Sequence, residues 1–382
     1  MKTVSIIGST GSIGVQALDV VRELGLSVCA LAAGRDVKHM EKQARAFVPQ
    51  CAALADERAA AELKSALADT TVRVLAGQDG VCEAASFAAA DIVLNAAVGI
   101  AGLRPTLAAI EAGKTLALAN KESLVCGGAL VTERARCNGV DILPVDSEHS
   151  AVFQALCCGR KTEVERLILT ASGGPFFGKT ESELRGVTPE QALRHPSWDM
   201  GAKITIDSST MMNKGFEVME AHWLFGVPAG KIDVAVHRES IVHSMVEFCD
   251  GTVAAVCSLP DMRLPIQLAF TWPERQPSAR KRIDFTKPMS WTFYPPDREN
   301  FPALALCEEV LRHGGNLGAV LNGANEEAVA LFLQKRIGYC DIARLARAAT
   351  EAAAWMEKPR LEDILESDRW ARAFVRAAVQ CG

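Results

Sequence analysis

The chain has 12 cysteines but no C-x-x-C pair, and its 7 histidines form no Cys/His cluster of zinc-ligand spacing, so no thiolate metal site is expected. Cys157 and Cys158 are adjacent, a pair that seldom bridges; all twelve are expected to be reduced thiols in a cytosol, most of them small buried hydrophobes. There is no long apolar run: the stretch Asp91-Ile-Val-Leu-Asn-Ala-Ala-Val-Gly99 is too short to span a bilayer. There is no long basic run either, and with a net charge of −5 nucleic acid is not an expected partner. Residues 3–8 already read as a buried strand, so no signal or transit peptide is visible and a cytoplasmic, bacterial-type protein is expected. No internal repeat occurs.

What is present is globular: 382 residues, 49% hydrophobic and 23% charged, enough for two or three domains. Residues 1–145 alternate short apolar runs (Val4–Ile7, Val28–Ala32, Ala52–Leu54, Ile92–Leu94, Thr115–Ala119) with Ala-rich, charge-faced segments such as Asp56–Leu67. That alternation predicts an α/β, Rossmann-like doubly wound domain with a parallel sheet. Residues 146–272 read as a central α+β domain, with strands at Arg166–Thr170, Lys203–Ile206, Ser240–Phe248 and Thr252–Ser258. A polar, Gly- and Pro-rich loop at 172–202 has the length of a functional lid. Residues 273–302 read as a connection, and 303–382, with amphipathic stretches at Ala319–Gln334 and Asp341–Trp355, as a C-terminal helical bundle.

Gly8-Ser-Thr-Gly11-Ser-Ile-Gly14 follows the first strand and opens a helix. Glycines there permit a tight turn and let backbone N–H groups approach a pyrophosphate. The spacing G-x-x-G-x-x-G is a variant of the dinucleotide fingerprint. The second strand ends at Gly34-Arg35-Asp36. Arg35 favours the 2′-phosphate of NADPH, whereas Asp36 would repel it if it faced the same way. A solvated turn pair is the alternative.

Two further segments carry carboxylates. Leu143-Pro-Val-Asp146-Ser147-Glu148-His149 reads as a strand running into a helix. On an extended stretch residues 146 and 148 point the same way and would grip one cation; helix N-capping explains the same letters. Lys203-Ile-Thr-Ile-Asp207-Ser208 reads as the end of a strand, with Ser208 at the start of a helix over Met211–Phe225. On that helix Asn213 and Lys214 share a face with Glu217. Hydroxyl, amide and ammonium donors suit a phosphate, although Lys214–Glu217 would also pass as a surface pair. Ser172, in a Ser-Gly-Gly-Pro loop after a strand, offers a second hydroxyl. His195 and Trp198 lie at the far end of the lid, fit to cover a ligand. Asn120-Lys121-Glu122 ends the last strand of the first domain, where open sheets place ligands, and Lys121 would face both cofactor and substrate.

Taken in order, these segments closely resemble the 1-deoxy-D-xylulose 5-phosphate reductoisomerase family, nearly end to end. The resemblance rests on Gly8–Gly14, Leu118-Ala-Asn-Lys-Glu-Ser-Leu-Val125, Pro144-Val-Asp-Ser-Glu-His149, Ala171-Ser-Gly-Gly-Pro-Phe176, His195-Pro196, Met200-Gly201, Asp207-Ser208, Met211-Met-Asn-Lys-Gly215, Glu217 and Asn316-Leu-Gly-Ala-Val-Leu-Asn322. It implies NADPH and a magnesium or manganese ion held by Asp146, Glu148 and Glu217. It implies Ser172, Ser208, Asn213 and Lys214 around the phosphate of a ketose substrate, and Lys121, Ser147 and His195 along its carbon chain. Trp198 would cover the substrate, and Met200 and Gly201 would lie near the nicotinamide. Thr10, Gly11, Ser12 and Ile13 would carry the pyrophosphate and ribose, Gly34 and Arg35 the adenosine end, and Asn120, Lys121 and Glu122 would line the cofactor.

The implied chemistry is retro-aldol and aldol rearrangement to a branched aldehyde phosphate, followed by hydride transfer, in a homodimer joined through sheet elements near 240–260. Asp36 departs from the family, where a neutral residue is usual. So do Ser197 and Asp199, which stand where the lid usually has Asn or Thr, and Ser or another neutral residue. Two other readings remain open: a dehydrogenase of another small carbonyl compound, which leaves the three carboxylates and four phosphate donors unexplained, and a catalytically silent NADPH-binding protein, which loss of a metal ligand would favour.

Overall fold

A computed structural model of the chain describes residues 2–195, 198 and 200–380. It divides into two compact units: residues 1–123, 129–147 and 262–279, and residues 124–128, 148–261 and 280–382.

In the first unit strands and helices alternate from the outset: β1 (Thr3–Ile7), α1 (Ser12–Leu24), β2 (Ser27–Ala33), α2 (Val37–Phe47), β3 (Cys51–Leu54), α3 (Glu57–Ala66), β4 (Arg73–Ala76) and α4 (Gly77–Ala85). The chain continues through β5 (Ile92–Asn95), α5 (Leu103–Glu111), β6 (Thr115–Leu118), α6 (Glu122–Asn138) and β7 (Ile142–Pro144). The seven strands pair in parallel in the order β4-β3-β2-β1-β5-β6-β7. Strands β1, β2, β3 and β5 are buried almost throughout, as their unbroken apolar runs require of strands covered on both faces. The order reverses between β1 and β5, so the crevice at their C-terminal ends is the place where such sheets hold ligands.

From Glu148, the second residue of α7 (Ser147–Ala155), the chain runs in the second unit through β8 (Val164–Ala171), then α8 (Glu181–Leu184) and α9 (Pro189–Ala192), two single turns inside the expected lid. Next come α10 (Ala202–Ser209), α11 (Met212–Phe225), β9 (Ile232–Val236), β10 (Val242–Phe248) and β11 (Val253–Cys257). Lys203–Ile206, expected as a strand, lies in helix α10 instead. The sheet order is β11-β10-β8-β9, with β8 and β9 parallel and the other pairs antiparallel. Helix α12 (Arg263–Thr271) belongs to the first unit, where Arg263 donates to Asp19 on α1 at 3.1 Å. Residues 273–302 hold one isolated bridge, Val236 to Tyr294, and no longer element. Four helices follow: α13 (Ala303–His313), α14 (Leu317–Leu333), α15 (Asp341–Ala352) and α16 (Leu361–Gln380). These helices share one core with the sheet: Leu167, Leu169, Ile206 and Phe216 join Leu321, Phe332, Ile342 and Val375. That shared core positions the site, because α10 and α11 lie within it.

Candidate active site

The glycine turn after β1 is set by packing. Gly8 has φ +85°, and a Cβ there would stand 2.4 Å from the Ala96 carbonyl oxygen just past β5. A Cβ on Gly14 would stand 2.3 Å from the Gly8 oxygen, so helix and turn touch backbone to backbone. Gly11 is different: it N-caps α1, is exposed and meets nothing nearer than 3.4 Å. Ser12 is also exposed and Thr10 and Ile13 are half-buried, and the first turn of α1 carries no acid to compete with an anion. Gln43 on α2 braces the turn by donating to the Ser9 carbonyl at 2.8 Å.

Gly34 and Arg35 are exposed beyond β2. The Asp36 carboxylate is engaged in starting α2: Oδ1 accepts from the His39 N–H at 3.1 Å and Oδ2 lies 2.7 Å from His39 Nδ1. Those bonds hold its pKa below the usual carboxylate value. Past β6, the buried Asn120 donates to the Ala97 and Gly99 carbonyls at 2.8 and 2.9 Å, and to Glu122 at 3.0 Å. Lys121 pairs with Asp146 at 3.0 Å, both side chains nearly buried.

Helix α7 begins at Ser147, so Glu148 sits in a first helical turn. This corrects the extended-stretch argument for residues 146 and 148; the helix-start alternative describes the local backbone. Glu148 and Glu217 nevertheless bring carboxylate oxygens within 4.8 Å of each other. Glu217 is buried on α11, and its two oxygens accept from Asn213 and Lys214, one helical turn earlier, as their spacing predicts. The Lys214–Glu217 pair is buried, so the surface-pair alternative fails. His149 and Glu220, both fully buried, pair at 3.2 Å, and His149 Nε2 lies 2.8 Å from the Glu217 carbonyl oxygen. An all-oxygen donor set of close carboxylates fits a hard divalent cation.

The lid and its two flanking segments meet at His195. Its Nε2 lies 3.0 Å from Ser172 Oγ and 3.1 Å from Ser208 Oγ. The Trp198 N–H donates to Nδ1 at 3.0 Å, which leaves the ring proton on Nε2, facing the two hydroxyls. Burial, aided by the positive charge of Arg238, pushes the imidazole down to about 4, so it is neutral at pH 7. His195 thus joins the two serines assigned to the phosphate rather than standing apart from them. Ser208 is in the last turn of α10, not at a helix start, so the dipole argument does not apply to it. Trp198 is half-buried with its ring 6.4 Å from that of His243. Met200 is half-buried and Gly201 N-caps α10. Ser197 and Asp199 lie outside the described residues.

Arg238 is a residue the sequence reading missed. It donates to the carbonyls of Ser172 and Gly174, both at 2.7 Å, and fixes the Ser-Gly-Gly turn. A lone arginine between two strands carries no local signal of that role.

Comparisons with known proteins cover the whole chain. The family model described as 1-deoxy-D-xylulose 5-phosphate reductoisomerase matches residues 4–128, that of its C-terminal domain residues 142–225, and that described as the DXP reductoisomerase C-terminal domain residues 257–374. The 1-deoxy-D-xylulose 5-phosphate reductoisomerase of Chlorobaculum tepidum is 51% identical over 99% of this chain and 100% of its own. That of Chlorobium phaeobacteroides is 52% identical over 100% of both. Among solved structures, the reductoisomerase from Zymomonas mobilis in complex with NADPH is 44% identical, covers 99% of both chains and superposes with a TM-score of 0.92. A DOX-P reductoisomerase in complex with NADPH, fosmidomycin and magnesium is 36% identical, covers 100% of this chain and 98% of its own, and gives 0.95.

Proposed function

The chain belongs to the 1-deoxy-D-xylulose 5-phosphate reductoisomerase family, and on that premise we propose how its own residues divide the work. The enzyme uses NADPH and a divalent metal such as magnesium to isomerise and reduce 1-deoxy-D-xylulose 5-phosphate to 2-C-methyl-D-erythritol 4-phosphate. Glu148 and Glu217, with Asp146 two residues upstream of Glu148, are the metal ligands in this reading; the metal, when bound, supplies Lewis acidity to adjacent substrate oxygens, and NADPH supplies the hydride. Manganese would suit the same oxygen donors.

The observation that carries the assignment is the convergence of Ser172 and Ser208 on the neutral His195, in the same unit as the Glu148–Glu217 pair. Two hydroxyls and an Nε2–H form a donor set for phosphate oxygens, and Asn213 and Lys214 extend it along α11. Binding the phosphate remote from the reacting carbons orients the substrate. Trp198 covers it and excludes water, and Ser147 and Lys121 hold the carbon chain. Lys121, held by Asp146, is the candidate proton carrier. Thr10, Gly11, Ser12 and Ile13 bind the pyrophosphate and ribose, Gly34 and Arg35 the adenosine end, Asn120, Lys121 and Glu122 line the cofactor, and Met200 and Gly201 flank the nicotinamide.

A homodimer through β11 is supported by its place at the sheet edge and the exposed Val253. A cytoplasmic setting is supported by cysteine spacings that suit neither a disulfide framework nor a zinc site, and a role in isoprenoid precursor synthesis by the product. Among the described residues no helix is long and apolar enough to cross a membrane.

The deciding test is NADPH oxidation by purified protein with 1-deoxy-D-xylulose 5-phosphate and magnesium, with EDTA and NADH controls. Substrate-dependent, EDTA-sensitive oxidation that is lost in Glu148→Gln and Glu217→Gln, with NADPH binding intact, supports the division above. Either variant turning over at the parent rate removes that residue from the metal site.

A further inference from the structure

Ser208 and Ser172 lie on different segments, yet their hydroxyls must keep a fixed separation to share one ligand group. We propose that Tyr339, between α14 and α15, is a positioning residue that holds both serine-bearing segments to one phosphate-recognition geometry. The inference rests on the reading of Ser172 and Ser208 as phosphate donors. The Tyr339 hydroxyl donates at 2.6 Å to the carbonyl oxygen of Ser209, the neighbour of Ser208. That carbonyl belongs to the last turn of α10, where helix carbonyls have no partner within the helix. The tyrosine ring meets Phe176, four residues beyond Ser172, edge-on at 5.3 Å and 85°. Phe332 on α14 backs it at 5.8 Å. One side chain therefore touches the segment of each serine.

Its surroundings make the contact rigid. Tyr339 is 4% exposed, and burial raises its pKa above the ordinary tyrosine value, so the phenol keeps its proton and can donate. On the other flank of Ser208, Asn325 of α14 donates to Asp207 Oδ1 at 2.9 Å, while Lys203 pairs with Oδ2 at 2.9 Å. The two segments also touch directly: a Cβ on Gly174 would stand 2.9 Å from the Ser208 oxygen. With the end of α10 fixed on both sides, the Ser208 hydroxyl has little freedom left. A core tyrosine with no such role would need only some acceptor for its hydroxyl; this one takes the carbonyl next to the site serine and packs edge-on against the loop of the other.

Tyr339→Phe keeps the ring and removes the hydroxyl. It is expected to raise KM for 1-deoxy-D-xylulose 5-phosphate by about three- to tenfold, the range of one hydrogen bond, while kcat and the NADPH dissociation constant stay within about twofold. Because the Tyr339 hydroxyl acts through the Ser208 segment while the ring contact survives in phenylalanine, adding Tyr339→Phe to Ser208→Ala should raise KM no further than Ser208→Ala alone. Asn325→Ala, which frees Asp207, should raise KM likewise and gives an independent reading if Tyr339→Phe does not fold. A Tyr339→Phe enzyme with lower melting temperature but unchanged KM, or full additivity in the double variant, overturns the proposal. Unchanged KM in Ser208→Ala alone overturns it differently, by removing Ser208 from substrate recognition.

Discussion

Replacing Gly174 by alanine tests the site at its tightest point. Gly174 has φ +65°, a left-handed conformation that costs a side chain-bearing residue about 1 kcal/mol. Its new Cβ would stand 2.9 Å from the Ser208 carbonyl oxygen and 3.0 Å from Ser209 Cα, so backbone must shift by a few tenths of an ångström. The end of α10 cannot easily give, since the Ser209 carbonyl is held by Tyr339 and the Ser209 hydroxyl by the Ile206 carbonyl at 2.7 Å. The turn must move instead, against the two Arg238 bonds. Ser172 Oγ, now 3.0 Å from His195, would then pass the distance at which a hydrogen bond persists. Strain and lost bond together amount to about 2 kcal/mol, of which the part felt by the ligand raises KM for the substrate roughly tenfold. Thermal unfolding should come several degrees lower, while NADPH affinity, set by the turn after β1, stays as it was. Steady-state kinetics, a melting curve and a fluorescence titration with NADPH read all three. An alanine variant with parent KM and parent melting temperature would refute the claim that the Ser172 turn is locked against α10.

Three other outcomes follow from the geometry. Glu217→Gln retains the shape but halves the anionic charge of the Glu148–Glu217 pair; turnover should fall by about a hundredfold or more, with magnesium affinity weakened in calorimetry and NADPH binding unchanged. Asp36→Asn keeps a good N-cap for α2 but removes a charge next to Arg35; NADPH should bind about two- to fivefold tighter, NADH with little change, and equal gains for both would refute a role in cofactor choice. His195 titrates near 4 in the folded protein and near the ordinary histidine value when unfolded. Between those values the unfolded chain binds the extra proton, so stability is full above about pH 6.5 and declines toward pH 4. His195→Gln should flatten that part of the stability profile; an unchanged slope would assign it to other groups.

The first unit was open to sequence reading because its strands are continuous apolar runs and its glycines answer to backbone contacts that any sheet of this order imposes. The edge strand β4 escaped because Arg73–Ala76 is only half-buried and lacks the run. Strand β9 carries a clear period of two, with Ile232, Val234 and Val236 buried, but sits behind a helix end that masks it. The carboxylates and hydroxyls of the site were legible as residue types; what brings them together was not, since Arg238, Asn325 and Tyr339 act from far along the chain. The instructive failure is Lys203-Ile-Thr-Ile206, whose alternation imitates a strand. Its true period lies in partners four apart: Lys203 reaches Asp207 at 2.9 Å, and the Thr205 hydroxyl donates to the Gly201 carbonyl at 2.8 Å. Lys203 also lies over the Phe216 ring at 5.3 Å, so a residue that a strand would turn to solvent packs on the core of α11. A helix here, unlike a strand, puts Ser208 in a closing turn whose carbonyls are open to capture by a distant side chain. The misread segment is therefore the one through which the C-terminal helices reach the site.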